Sequence, residues 1–294
     1  MNRVDAHHHL WDLTVRPQPW MVGDVYAPIS RSFTLDEFAG LAAGAGIDAS
    51  IVVQTVGDRA ETVELLEVAD TSDLIAAVVG WVDLTAADVG EQLAWLAQCP
   101  GGVHLRGIRH QVHDEPDPSW LCRPDVQRGI AAIGAAGLVY ELLVKPPHLQ
   151  AAHATVGLLD EVRFVVDHAG KPPIARQEFE PWNTGIRALA RFENTYCKLS
   201  GLLTEAAWTT WTIGDLRPYV ETVVEAFGVD RVMVGSDWPV CTLVTGYEAA
   251  IDVYDAALPG LSASERAAIH AGTASAVYGL AHHPAADPGE GPST

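Results

Sequence analysis

Basic residues are scarce in this chain. Eighteen lysines and arginines stand against 38 aspartates and glutamates, a formal net charge of −20 over 294 residues. Nucleic acid and anionic membrane surfaces both require a basic footprint, so neither is an expected partner. Long apolar runs are missing too. No stretch of about 18 apolar residues occurs, which excludes a helical membrane span. The opening residues, MNRVDAHHHLWD, lack the apolar stretch of a secretory signal, and the expected compartment is the cytoplasm. Cysteine is limited to Cys99, Cys122, Cys197 and Cys241, widely spaced and without a C-x-x-C. Buried free thiols in a reducing compartment are the expectation. Blocks of five like charges are absent, and charged residues make up 19% against 48% hydrophobic, so little disorder is expected.

What the chain does have is alternation. Apolar β-type runs recur at 4–9, 49–55, 74–83, 103–110, 138–144, 163–168, 195–202 and 231–237. Between and after them lie stretches of helical period at 35–45, 59–69, 86–97, 124–135, 147–159, 183–192, 216–227 and 246–257. Strands that are apolar on both faces and alternate with helices indicate a parallel sheet covered by helices. Eight such units predict a (β/α)8 TIM barrel of the α/β class, with an open doubly wound sheet as the alternative. Thr34 and Glu37 read as a capping box, and Gly46 and Gly228 as helix stops. A further helical segment is expected over 262–279, packed on the barrel. One catalytic domain is predicted over 1–280, with a disordered tail rich in Pro, Gly and small residues over 281–294.

In parallel barrels the active site lies at the C-terminal strand ends. These ends are polar here: His7, His8 and His9 on the first, Arg109 and His110 on the fourth, Lys145 after the fifth, His168 on the sixth and Asp237 on the eighth. Side chains alternate faces along a strand, so His7 and His9 share one side while His8 turns toward the helical layer. Gly235 leaves room beside Asp237, whose other reading is a helix cap.

The motifs D-A-H-x-H-L-W (5–11), V-G-W-V-D-L (79–84), G-I-R-H (107–110), D-H-x-G-K-P (167–172), K-L-S-G (198–201) and G-S-D-W-P (235–239) resemble the amidohydrolase superfamily. More narrowly, they are similar to its lactonase branch. The resemblance implies a hydrolase of a carboxylic ester bond that opens a small lactone, a sugar aldonolactone or a muconolactone-type acid. It also implies a place in carbohydrate metabolism. A metal-dependent decarboxylase or amide hydrolase of the same superfamily is the alternative. A barrel that binds a ligand without turnover is the alternative from another class.

Lactone hydrolysis needs an oriented water, a base and electrophilic help at the carbonyl. Asp237 is the expected base, with His168 and Arg109 as further catalytic residues. His7, His9 and Asp237 are the expected ligands of one divalent metal ion, zinc first and dispensable, with Glu141 as a recruitable fourth. The histidine usual on the fifth strand of metal-dependent members is absent, and Glu141 and Lys145 stand there. No organic cofactor is implied. Arg109 and Lys145 are expected to hold substrate carboxylate or hydroxyls, with a surface position as the other reading of Lys145. Glu141 reads either as a substrate contact or as half of an interior ion pair. Gln54 and Trp81 are expected to line the pocket, and Trp238 to give an apolar wall. A small-molecule lactone is the expected partner, and the sequence leaves a homo-oligomer open.

Overall fold

A computed structural model describes residues 2–280, and the tail expected over 281–294 lies outside them. Eight parallel strands pair in sequence order: β1 (Val4–His8), β2 (Ala49–Val53), β3 (Ile75–Gly80), β4 (Leu105–His110), β5 (Val139–Leu142), β6 (Arg163–Val166), β7 (Thr195–Leu199) and β8 (Val232–Val234). The barrel helices are α1 (Leu35–Gly44), α2 (Arg59–Asp70), α3 (Val89–Leu96), α4 (Pro124–Ala135), α5 (Leu149–Leu158) and α6 (Trp182–Leu189). A single turn, α7 (Leu202–Glu205), precedes α8 (Ile213–Phe227) and α9 (Tyr247–Ala257). The chain is the TIM barrel its alternation predicts. Strands are shorter than their apolar runs, which also take in flanking turn residues such as Val103 and His104 before β4 and Leu143 and Val144 after β5. Among the described residues no helix is long and apolar enough to cross a membrane.

Two apolar layers account for the two-faced strands. The outer layer fills the space between strands and helices. The inner one contains Val4, Ala6, Ile51, Val79, Val165 and Met233, and extends to Ala274, Val277 and Tyr278. Those last residues belong to the C-terminal segment, formed by α10 (Ala263–Ala267), a π-helical turn (Ala268–Gly272) and α11 (Thr273–Tyr278). The segment therefore plugs the end of the barrel where the strands begin, and leaves the other end for the site.

Local signals behave as their physics requires, with one correction. Gly46 and Gly228 both take a positive φ where a helix ends, a conformation glycine adopts without steric cost. Thr34 accepts the Glu37 amide, but the Glu37 carboxylate turns to Arg31 (2.6 and 2.8 Å). The capping box at Thr34 is thus only half formed, because a guanidinium outcompetes the Thr34 amide for the carboxylate. Of the four cysteines, Cys197 and Cys241 are buried, Cys99 and Cys122 half-buried, and all are free thiols.

The seam between β1 and the segment after β8 closes the barrel. The Asp237 amide donates to the His7 carbonyl (2.8 Å), and the His9 amide to the Trp238 carbonyl (2.6 Å). Beside them the buried Asp5 carboxylate accepts from the His7 amide (3.1 Å), the Ser236 amide (2.9 Å), the Ser236 hydroxyl (2.6 Å) and the Tyr247 hydroxyl (3.0 Å). A register shift in β1 between Asp5 and His8 turns Asp5 outward to α9 and His7 inward. Gly235 lets the strands approach: a Cβ there would meet His7 Cβ and N at 2.7 Å. The room Gly235 leaves serves His7, not the Asp237 carboxylate. Asp5→Asn puts an amide donor against these donors. We expect it to cost about 2–3 kcal/mol and lower Tm by roughly 4–12 °C, measured by thermal melting; an unchanged Tm would remove Asp5 from the seam.

Candidate active site

The C-terminal strand ends surround a cavity of about 360 Å³ whose wall includes His9, Arg109, Lys145, His168, Lys171 and Asp237. Asp237 comes three residues after β8, at φ +58. A non-glycine residue in this region costs roughly 1–2 kcal/mol, and the backbone bonds of the seam hold it there. Its carboxylate lies 3.3 Å from His9 Nε2 and 3.8 Å from His7 Nε2. Burial pushes its pKa up, but His168, His9 and His7 outweigh that and hold Asp237 well below the usual carboxylate range. It is a carboxylate at neutral pH.

His168 opens a turn in which His168, Ala169, Gly170 and Lys171 have φ of +52, +50, +70 and +50. Three of the four are not glycine, each costing roughly 1–2 kcal/mol. The turn directs both His168 and Lys171 into the cavity. His168 Nδ1 is 2.9 Å from Ser200 Oγ, and burial pulls its pKa down to about 4. It is a neutral imidazole at neutral pH. Lys171 Nζ donates to Glu205 at 2.7 Å.

Beneath the cavity lies a buried ionic floor. Arg109 donates to Asp167 (3.0 Å) and to the Gln54 carbonyl, and lies 3.2 Å from His7 Nε2. Lys198 Nζ is 2.6 Å from Glu141, 3.3 Å from Asp167 and 3.2 Å from His7 Nδ1. Burial opposes ionisation of Asp167, but Lys198, His7 and Arg109 outweigh it and hold its pKa low. Burial and the neighbouring Asp167 push Glu141 up. Burial, helped by Lys198, pulls the His7 imidazole well down.

Two clusters of metal-type ligands occur among the described residues. In the first, ligand atoms of His7, His168 and Asp237 lie within 4.8 Å of one another. In the second, His7, Glu141 and Asp167 converge, but the Lys198 ammonium already fills that space. The first cluster fits a divalent ion. His9 adds an independent sign: its Nδ1 is 2.7 Å from the Val53 carbonyl and must carry the hydrogen. That leaves the His9 Nε2 lone pair facing the Asp237 carboxylate, an arrangement that only a proton or a cation satisfies. The geometry thus groups His168 with the expected His7 and Asp237, and His9 stands beside Asp237 at 3.3 Å.

The expected pocket residues divide. Lys145, Arg109, His168, His9 and Asp237 line the cavity. Glu141 does not; it is fully buried and bonded to Lys198 and Tyr278, an interior ion pair whose partner is on β7. Gln54 is also buried, its amide donating to the Arg109 carbonyl and accepting from Gln111, so it braces β4 instead of meeting ligand. Trp81 donates to His110 Nδ1 away from the cavity wall. Trp238 is 1% exposed and packs on Phe33 and Phe38, so it is core, not wall. His8 faces the helices as expected, stacked on Phe38 and bonded to Ser50. Asp167, Lys171, Lys198 and Glu205 were not singled out. The signal for Lys198 was a lysine inside the apolar strand T-Y-C-K-L, on the inward face it shares with Tyr196.

Residues 4–280 match the amidohydrolase family. An L-fucono-1,5-lactonase of Burkholderia multivorans is 38% identical over 290 residues, spanning 95% of this chain and 96% of its own. One from Burkholderia ambifaria is 39% identical over 241 residues, 82% of this chain and 81% of its own. An amidohydrolase of Burkholderia multivorans solved with bound zinc superposes with a TM-score of 0.88 at 37% identity, covering 96% of this chain and 100% of that one.

Zinc added to chelator-treated protein at about 100 times its Kd is expected to stabilise the fold by about 2.7 kcal/mol, read as a raised Tm. Asp237→Asn should abolish the shift. A wild-type Tm indifferent to zinc would show that the cluster takes no ion.

Proposed function

We propose that this chain, which belongs to the amidohydrolase family, opens the ring of a small lactone by attack of water, with Asp237 as the base. One observation carries the reading: a buried, ionised carboxylate lies between the His7, His9 and His168 imidazoles in the cavity at the strand ends. The relatives named L-fucono-1,5-lactonase support a cyclic ester as the substrate class.

A lactone carbonyl in the cavity meets hydrogen-bond donors and positive charge. His168, tied through Nδ1 to Ser200, presents its other nitrogen to the cavity, and Arg109 adds a fixed guanidinium. Such groups stabilise the negative charge that forms on the carbonyl oxygen. Asp237 takes a proton from the attacking water while the new carbon–oxygen bond forms. As the tetrahedral centre collapses, the bond from the carbonyl carbon to the ring oxygen breaks. Asp237 returns its proton to that oxygen, and the product is a hydroxy acid. A divalent ion, for which the zinc in the Burkholderia multivorans structure is the precedent, would be held by His7, His168 and Asp237 and would supply Lewis acidity toward the carbonyl oxygen. Lys145 remains as a cation on the wall for a polar substituent or the product carboxylate.

Asp237→Asn is expected to lower kcat/KM for a hydrolysed lactone by about 10²–10⁴-fold, followed as proton release on a lactone panel. A variant as fast as wild type would mean that another group takes the proton. Gly201 tests the geometry. A Cβ there would lie 2.6 Å from His168 Nδ1 and 2.8 Å from Asp237 Oδ2, at φ +61. Gly201→Ala should therefore reduce kcat/KM by roughly 100-fold while circular dichroism still reports a folded barrel. Full activity would show that the spacing of His168 and Asp237 is not critical.

A further inference from the structure

Charge on the cavity wall is balanced. Arg109, Lys145 and Lys171 face Asp114, Glu205 and Asp237. Much of that charge is already engaged: Arg109 with Asp167 below the floor, Asp114 with His113 at 3.2 Å, and Lys171 with Glu205 at 2.7 Å. A lactone bearing a carboxylate finds no surplus of positive charge, and it meets the Glu205 carboxylate beside Lys171. An uncharged lactone meets no such conflict.

The Lys171–Glu205 pair is also held on the same turns as the reacting groups. Lys171 ends the left-handed turn that His168 begins. Glu205 ends α7, whose N-cap is Gly201, the residue wedged against His168 and Asp237. Both side chains are largely buried yet line the cavity, with 15% and 23% exposure. Trp208, three residues on, lines the same wall with its Nε1 tied to the Thr204 carbonyl at 2.9 Å. Its ring lends an apolar face for the C–H side of a saturated ring.

We propose that the Lys171–Glu205 ion pair is the specificity element of this site, reading two hydroxyl groups on neighbouring ring carbons of an uncharged, polyhydroxylated lactone; the proposal rests on the lactone-hydrolase reading above. Lys171 donates to one hydroxyl oxygen, and Glu205 accepts from the other hydroxyl. The separation within the pair is close to that between oxygens on adjacent carbons. Substrate entry strips water from the pair, and only a ligand offering both an acceptor and a donor replaces it.

The test compares a polyhydroxylated 1,5-lactone, unsubstituted δ-valerolactone and a carboxylate-bearing lactone, using wild type, Glu205→Gln and the charge-free double variant Lys171→Gln/Glu205→Gln. The double variant leaves no unpaired charge, so it stands in should the single one fold poorly. We expect kcat/KM on the hydroxylated lactone to fall about 10- to 100-fold, mainly through KM. δ-Valerolactone turnover should be held in both, and the carboxylated lactone improved in Glu205→Gln. Two results would overturn the proposal: an unchanged preference in the folded variants, or an equal loss on all three lactones, which would place the pair in the chemistry. Wild-type silence on every lactone would instead defeat the lactone-hydrolase reading itself.

Discussion

The closing seam between β1 and the segment after β8 is the constraint on which the rest of this structure depends. A barrel must join its first strand to its last, and here the join is made at the active end. Backbone bonds from Asp237 to His7 and from His9 to Trp238 continue the pairing beyond β8. The Asp5 carboxylate takes four donors from both sides of the gap and from α9. One set of interactions thus closes the fold and sets the distance between the histidine pair and Asp237. Folding energy, not ligand, pre-positions the reacting groups. The left-handed conformation of Asp237 persists because the seam over-determines it.

A second layer of order comes from the ionic floor. Arg109 and Lys198 bring positive charge into a buried region, where it must be paired. Asp167 serves both, and Glu141 completes the set with help from Tyr278. Buried ion pairs of this kind contribute little net stability compared with apolar packing, but breaking one is costly. What this floor supplies is position: the neutral His7 ring has one lone pair, and it accepts from one of two cationic nitrogens 3.2 Å away, Lys198 at Nδ1 or Arg109 at Nε2. The C-terminal plug takes part through Tyr278, so the far end of the barrel is coupled to the floor of the site. Lys198 also decides between the two ligand clusters, since its ammonium fills the deeper one.

Much of this was legible in the sequence because barrel strands are apolar on both faces and end in polar residues only for a reason. His7, His9, Arg109, Lys145, His168 and Asp237 could be placed from strand ends and period two alone. The errors share one cause. Position along a strand gives the face of a residue but not its depth, and depth decides whether a polar group meets ligand or protein. Gln54 and Glu141 lie one layer too deep, and each is absorbed by a neighbouring strand. Trp238 follows the proposed base directly, yet the reversal at Asp237 sends its ring outward to Phe33 and Phe38. Period two also fails within β1, where the register shift separates Asp5 from His7. Lys171 and Glu205 were hidden for another reason: they belong to irregular turns whose left-handed geometry no hydrophobic pattern announces.

The strongest apparent difficulty for Asp237 as a base is its own environment. A carboxylate held so firmly ionised has little affinity for a proton at rest. The groups that hold it down, however, are the imidazoles gathered at the same cavity, His168, His9 and His7. As water attacks, negative charge grows on the carbonyl oxygen, and His168 turns part of its interaction toward it. Stabilisation withdrawn from Asp237 raises its proton affinity at the moment the water proton must leave. Collapse of the tetrahedral centre reverses the shift and releases the proton to the ring oxygen. On this argument base strength and oxyanion stabilisation are not separate endowments of the site. They are one set of hydrogen bonds shared between two oxygens, and with the Ser200 hydroxyl donating to Nδ1 the neutral His168 keeps its one N–H for either.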